Sequence, residues 1–144
     1  MAKGNTESTI EATLTISACA KCLAPAREWL ARHMRAAGFS SQAILDVQVA
    51  LDEALTNAVE HAYGDDERGE VYVALTIDSQ ALRLTVRDRG ESFRLEQYTP
   101  PDLSTPAERG YGVHLIRHLM DEVRYDTLPT GGTEVSMVKY RHSQ

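Results

Sequence analysis

Apolar and polar residues alternate along five short stretches of the chain, which is the period of a strand with one buried face. The first stretch is 9–16. The next two, 71–77 and 82–87, are separated by a short turn, which predicts a hairpin. The last two lie near 122–128 and 133–140. We therefore expect five strands, of which the second and third are paired.

Three other stretches repeat their apolar residues every three or four positions, as an amphipathic helix does. The first covers 23–37 and is followed by Gly38, a residue typical of helix ends. The second begins at Ser40 or the next serine, either of which can cap a helix, and extends to about Tyr63. The third follows Gly112. We therefore expect three main helices.

Residues 90–109 show no periodicity and contain three of the five prolines. A loop of about 20 residues inside a compact domain is usually a lid or a binding loop, because most connections are far shorter. The segment 90–109 is therefore predicted to cover a ligand.

The order of these elements is strand, helix, helix, strand, strand, loop, helix, strand, strand. It predicts an α+β fold, a two-layer α/β sandwich with the helices on one face of a mixed, mostly antiparallel sheet. At 144 residues, with 42% hydrophobic and 25% charged residues, the composition is that of one globular domain covering 1–144.

The charge and the hydropathy of the chain argue against nucleic acid and membrane, respectively, as partners. A formal net charge of −6, without a cluster of Lys and Arg, disfavours direct binding of nucleic acid. The N-terminus lacks the apolar segment of a signal peptide, and no run of about 18 apolar residues occurs, so no membrane association is expected. We expect a cytoplasmic protein.

Cys19 and Cys22 form a single C-x-x-C motif. Such a motif is either a redox pair or half of a zinc site, but the chain has no second pair to complete four ligands. We therefore favour two reduced thiols near the start of a helix, although the sequence leaves the choice open.

The second helix carries Glu53, Asn57 and His61 at four-residue steps. Because each step rotates a residue by only about 40° around the helix axis, the three side chains form one polar stripe beside the apolar face. A carboxylate, an amide and an imidazole in one line are suited to a metal-bound phosphate. The same stripe is also typical of a solvated helix face.

Asp88 continues the inward-facing set of the third strand, which predicts a buried carboxylate. A buried charge requires hydrogen-bond donors, and the amino group of an adenine would be one. Gly90 follows, where the missing Cβ lets a ligand approach the backbone. The alternative is a turn-forming aspartate at the end of its strand.

Glycines also stand at the start of the third helix and of the last strand. Gly110 and Gly112, with Arg109 beside them, precede a helix whose first amides favour phosphate, although a plain loop exit has the same glycines. Thr133 follows two glycines and should face inward, so that its hydroxyl could pair with Asp88 or a bound base. A β-branched residue at a strand start is the alternative.

The order and spacing of these pieces resemble one family over nearly the whole chain, the GHKL or Bergerat-fold ATP-binding proteins. LDEALTNAVEHAY resembles the N box, VRDRGESF the first glycine box, ERGYGVHLI the second, and GGTEVSMVKY the closing strand motif. Within the family, the short length and the E-A-x-T-N-A-x-x-H-x-Y form of the N box resemble the anti-sigma-factor serine/threonine kinases.

The resemblance implies a site for ATP and Mg²⁺. Glu53 would be the catalytic base and Asn57 the Mg²⁺ ligand, while Asp88 would bind adenine with support from Thr133. The remaining nucleotide-binding positions would be His61, Gly90, Arg109, Gly110 and Gly112.

The resemblance also implies a homodimer with two protein partners, a sigma factor held inactive and a STAS-domain anti-anti-sigma factor phosphorylated on serine or threonine. Many relatives have a second glycine where this chain has Ser92. This difference keeps open an alternative function, a non-catalytic ATP-binding switch that regulates partner binding.

Overall fold

The computed structural model describes residues 9–59, 69–89, 111–129 and 131–141, with the backbone alone for 111–113. Within these ranges, five strands and three α-helices follow one another in the predicted order. They are β1 (Ile10–Ser17), α1 (Leu23–Ala36), α2 (Ser41–Asn57), β2 (Glu70–Ile77), β3 (Ala81–Arg87), α3 (Tyr111–Leu119), β4 (Glu122–Thr127) and β5 (Thr133–Tyr140).

The strands form one sheet in the order β1-β2-β3-β5-β4. The predicted β2–β3 hairpin is confirmed, with Leu75 opposite Leu84. The α+β fold with a mostly antiparallel sheet is confirmed as well. All pairings among the described strands are antiparallel, so the mixed character that we expected is not found there. The reason is that β4 and β5 pair antiparallel with each other, and β5 also pairs antiparallel with β3.

The hydrophobic core lies between the sheet and the helices. Inward-facing strand residues belong to one buried cluster with residues from all three helices, which places the helices on the same face of the sheet. Fully buried members include Leu30, Leu51, Leu84, Ile116 and Met137. The opposite face of the sheet carries exposed residues such as Tyr72, which is the expected pattern for an antiparallel sheet with one solvated side.

The helix ends follow the sequence signals in part. Gly38 has a φ of 88°, a conformation that favours glycine and stops α1. Ser40 caps α2, because its Oγ accepts a hydrogen bond from the backbone N–H of Ala43 at 3.1 Å. The α-helical part of α2 ends at Asn57 and is followed by a π-helical turn at 58–59. The predicted continuation to Tyr63 lies outside the described residues.

Of the helices that the structure describes, none is long and apolar enough to cross a membrane.

Cys19 and Cys22 are joined by a disulfide, so the expectation of two reduced thiols is wrong. A 3-10 turn, Ala20–Cys22, connects β1 to α1 and brings the two Cα atoms to 5.5 Å. That separation lies within the range that a disulfide spans.

Candidate functional site

Asp88 directly follows β3, and it is buried as the alternation predicted, with 7% of its surface exposed. Its carboxylate Oδ1 accepts a hydrogen bond from the backbone N–H of Thr133 at 3.3 Å. Its own backbone N–H donates to the carbonyl of Thr133 at 3.0 Å. The two residues predicted for the adenine contact therefore meet directly, through the backbone amide of Thr133.

Gly132 packs tightly against the backbone next to Asp88. Its φ is +96°, and a Cβ on this residue would overlap the carbonyl oxygen of Asp88 and lie 2.8 Å from the Cα of Arg89. Such approaches are possible only for glycine, so Gly132 lets the start of β5 close over the end of β3. In the sequence, this glycine is recognisable only as part of the entry to a strand. The signal that could have identified it is the glycine pair directly before Thr133.

Glu53 and Asn57 lie on α2 and are half-buried, while their neighbours Leu51, Ala54 and Leu55 are buried in the core. This burial agrees with a polar stripe at the edge of the core, which is one of the two interpretations of the pattern. Asn57 is the last residue of α2 and therefore lies at the end of the helix.

An ion pair holds α1 against α2 one residue before Glu53. The Arg27 Nη1 lies 2.7 Å from the Asp52 Oδ2, and the Gln48 Nε2 donates to the carbonyl of Arg27 at 3.3 Å. Because both charged side chains are partly exposed, the pair stabilises the fold by only about 0–1 kcal/mol. Its larger effect is on the position of α2, and the sequence pattern had not pointed to it.

Helix α3 begins at Tyr111, so Gly112 lies inside its first turn, whereas we had expected it directly before the helix. At the other end, the buried Lys139 donates from Nζ to the carbonyl of Leu119 at 2.9 Å, and Asp46 of α2 lies 3.9 Å from the same nitrogen. A cation at the C-terminus of a helix interacts favourably with its dipole. Lys139 thus ties α3, α2 and β5 together, a role that strand alternation could not reveal.

The predicted site residues fall into three groups. Asp88 and Thr133 are in contact. Glu53, Asn57 and Gly112 lie on α2 and α3, which pack against each other, and α2 also contacts β3. The remaining positions, His61, Gly90, Arg109 and Gly110, lie outside the described residues, as does the predicted lid 90–109.

The described residues fit a magnesium nucleotide in their chemistry. The amide oxygen of Asn57 is a hard ligand of the kind that Mg²⁺ prefers. Within the described ranges no group of three or more His, Cys, Asp or Glu could hold a metal. Mg²⁺ in nucleotide sites needs few protein ligands, because the phosphates and water supply the others. One amide ligand is therefore enough for the proposed role.

A protein-family model described as a histidine kinase-like ATPase domain matches residues 16–139. The match contains all the described site residues. The chain belongs to this family of histidine kinase-like ATPase domains. Asp88, Thr133 and the start of α3 are thus parts of an ATPase domain.

Curated relatives of this ATPase domain are named serine-protein kinase RsbW. The relative from Listeria monocytogenes is 41% identical over 114 residues, covering 72% of this chain and 70% of its own length. The relative from Oceanobacillus iheyensis is 40% identical over 111 residues, covering 72% and 69%. The relative from Bacillus subtilis is 36% identical over 115 residues, covering 74% and 71%.

Solved structures share the fold of this ATPase domain. The RsbU and RsbW domains of a Mycobacterium tuberculosis protein match with a TM-score of 0.68 and 23% identity, covering 90% of this chain and 32% of that one. The histidine kinase domain of a blue-light-activated kinase from Erythrobacter litoralis matches with a TM-score of 0.54 and 25% identity, covering 71% and 46%.

Proposed function

We propose that this ATPase domain is a protein-serine/threonine kinase that also acts as an anti-sigma factor. It uses ATP with Mg²⁺ to phosphorylate a STAS-domain anti-anti-sigma factor, and it sequesters a sigma factor. The observation that carries the proposal is the buried Asp88–Thr133 pair beneath Gly132, inside the region that matches the ATPase family. Relatives named serine-protein kinase, at 36–41% identity, support the choice of reaction.

Asp88 recognises adenine in this proposal. A carboxylate accepts hydrogen bonds and donates none, so it is matched to the amino group of adenine. The backbone N–H of Thr133 holds one carboxylate oxygen, which fixes the orientation of the side chain before any ligand arrives. A buried and oriented acceptor binds its donor more strongly than one in water, because the local dielectric is low.

Asn57 and the start of α3 receive the phosphates. Asn57 would hold Mg²⁺ through its amide oxygen, and the metal would offset the charge of the phosphate groups. The first backbone N–H groups of a helix lack partners within the helix and favour an anion, and Gly112 lies in the first described turn of α3. The contacts of α2 with α3 keep these two groups on neighbouring elements.

Glu53 is the catalytic base of the proposal. It lies one helical turn before Asn57, so its carboxylate shares the polar stripe with the metal ligand. It accepts the proton of the serine or threonine hydroxyl of the partner as that oxygen attacks the γ-phosphate. Only a docked partner supplies this hydroxyl. The proposal therefore includes a protein substrate and, from the family resemblance, a homodimer that works in the cytoplasm.

The deciding experiment follows phosphate from labelled ATP to a STAS-domain protein, with wild type and Glu53→Ala. The variant should bind ATP as the wild type does, because adenine and phosphate contacts lie elsewhere. It should transfer phosphate about 10²–10⁴-fold more slowly, the usual effect of a positioned general base. Gln42→Ala is the matched control, because Gln42 is an exposed residue of the same helix whose side chain bonds only Asp46 in the described structure.

Three results would change the proposal. Transfer at the wild-type rate by Glu53→Ala would remove Glu53 from the mechanism. Loss of ATP binding in that variant would assign it a structural role. No phosphorylated partner with wild-type protein, together with ATP-dependent release of a partner, would favour the non-catalytic switch.

A further inference from the structure

The disulfide between Cys19 and Cys22 lies outside the candidate nucleotide site, at the junction of β1 and α1. Cys22 is the N-cap residue of α1 and packs against the hydrophobic core. Cys19 is half-buried and has an extended backbone, with φ −139° and ψ 149°. The two sulfur atoms are therefore bonded at the start of a helix, and neither has a role in the proposed kinase reaction.

The disulfide adds little to the closure of this junction. It closes a loop of only four residues, and in the chain-entropy account the stabilisation by a disulfide increases with the size of its loop. Backbone hydrogen bonds already hold the turn. The N–H of Cys22 donates to the carbonyl of Cys19 at 3.1 Å, and the N–H of the buried Ala18 donates to the carbonyl of Gly69 at 2.8 Å. A permanent crosslink is not what this junction requires.

The redox environment expected for this protein also favours a reversible disulfide over a permanent one. This step rests on the proposed function. A kinase that consumes ATP works where ATP is made, in a compartment whose thiol buffers reduce exposed disulfides. Disulfides found there are usually transient and redox-sensing. We infer that Cys19 and Cys22 form a reversible dithiol–disulfide site that exchanges with small-molecule disulfides of the glutathione class.

The small-molecule disulfide is the oxidant in this exchange. The thiolate of Cys19 attacks one of its sulfur atoms, forms a mixed disulfide and releases one small thiolate. The thiolate of Cys22 then attacks the Sγ of Cys19 and releases the second. Two protein thiols become one disulfide, and their two protons end on the two released thiols. Excess small-molecule thiol runs the same steps in reverse.

The packing assigns the two cysteines different parts in this exchange. Both cysteines are half-buried, but Cys22 is the one that packs against the hydrophobic core, so we assign the first attack to Cys19. Cys22 lies at the N-terminus of α1, whose first turn contains no acidic residue, with Lys21 beside it. Helix amides and a neighbouring cation favour a thiolate, and Cys19, the N-cap of the 3-10 turn that leads into α1, shares both with Cys22, so either sulfur can attack as a thiolate.

The test equilibrates the full chain in glutathione buffers, from excess oxidised to excess reduced, then quenches with acid and alkylates free thiols. Because the chain has only two cysteines, the mass reports no label or two labels without ambiguity. We expect the bonded form in oxidised buffer, the dithiol in reduced buffer and a smooth transition between them. A pair that stays bonded in excess reduced glutathione, or stays free in excess oxidised glutathione, overturns the inference.

Single variants test the assignment of the two sulfurs. Cys22→Ser should accumulate one glutathione on Cys19, and Cys19→Ser should react more slowly, because its remaining thiol packs against the core. Equal rates would overturn the order of attack. Circular dichroism melting checks that both variants fold. None of these measurements uses ATP or a partner, so failure of the exchange and failure of the kinase proposal are separate results.

Discussion

Substitution of Gly132 by alanine tests the close approach on which the adenine site depends. Gly131 and Gly132 have nearly the same φ, +95° and +96°. Alanine should therefore cost about the same backbone strain at both positions, about 1–2 kcal/mol. At Gly131 a Cβ meets nothing within 4 Å, so Gly131→Ala is the matched control.

The two variants differ in what the new methyl group meets. At Gly132 it would overlap the carbonyl oxygen of Asp88 and lie 2.9 Å from the carbonyl carbon of that residue. Forcing extra volume into packed structure costs about 1–3 kcal/mol more. We expect Gly131→Ala to lower the free energy of unfolding by about 1–2 kcal/mol, and Gly132→Ala by about 2–5 kcal/mol. Both variants should fold, since domains are stable by about 5–15 kcal/mol.

Urea denaturation with linear extrapolation measures this difference, and calorimetry measures ATP binding. Gly132→Ala should also displace Asp88 and lose a hydrogen bond to a charged group, about 1.5–3 kcal/mol, which corresponds to about 10- to 150-fold in ATP affinity. Gly131→Ala should keep its affinity. Equal stability of the two variants, or full ATP affinity in Gly132→Ala, would refute the reasoning.

Three further predictions concern single side chains. Asp88→Asn can still accept the backbone hydrogen bond, but it presents an amide to adenine, so calorimetry should show ATP affinity reduced by about tenfold or more with little change in melting temperature. Lys139→Met removes the cation at the end of α3 and should cost about 1–3 kcal/mol in urea denaturation. A more stable variant would mean that burying the charge costs more free energy than its contacts contribute. Backbone hydrogen bonds from Gln80 and Ala81 hold the pKa of Asp78 below its ordinary value. The carboxylate therefore stabilises the fold above its unfolded-state pKa, and the stabilisation is lost as pH falls through the lower folded pKa. Asp78→Asn should lower the melting temperature at neutral pH, and a difference that persists unchanged into strong acid would contradict this.

The elements of the fold were predictable because their signals are local. Alternation in β2 and β3, the capping serine of α2 and Gly38 after α1 each act within a few residues. Patterns of this kind reflect the period of a strand or helix against one buried face. The burial of Asp88 followed in the same way, from its place at the end of the inward-facing set in β3. The roles of Glu53 and Asn57 came from the family resemblance and stay predictions.

Other features depend on which elements become neighbours, and no local pattern carries that information. Asp88 and Thr133 are 45 residues apart and meet only because β5 pairs with β3. The same pairing brings Gly132 against the backbone of Asp88, where a Cβ would overlap the carbonyl oxygen. Lys139 lies on the buried side of β5, and the carbonyl of Leu119 that accepts from it belongs to α3, 20 residues earlier in the chain.

The sequence by itself determined the elements of this protein, their order and the family to which their motifs belong, because periodicity and spacing are properties of the chain. The tertiary structure alone decided the contacts of the site, the bond between Cys19 and Cys22 and the ion pair that links α1 to α2. These contacts depend on distances in space. Sheet pairing and helix packing set those distances, and the local pattern of residues does not.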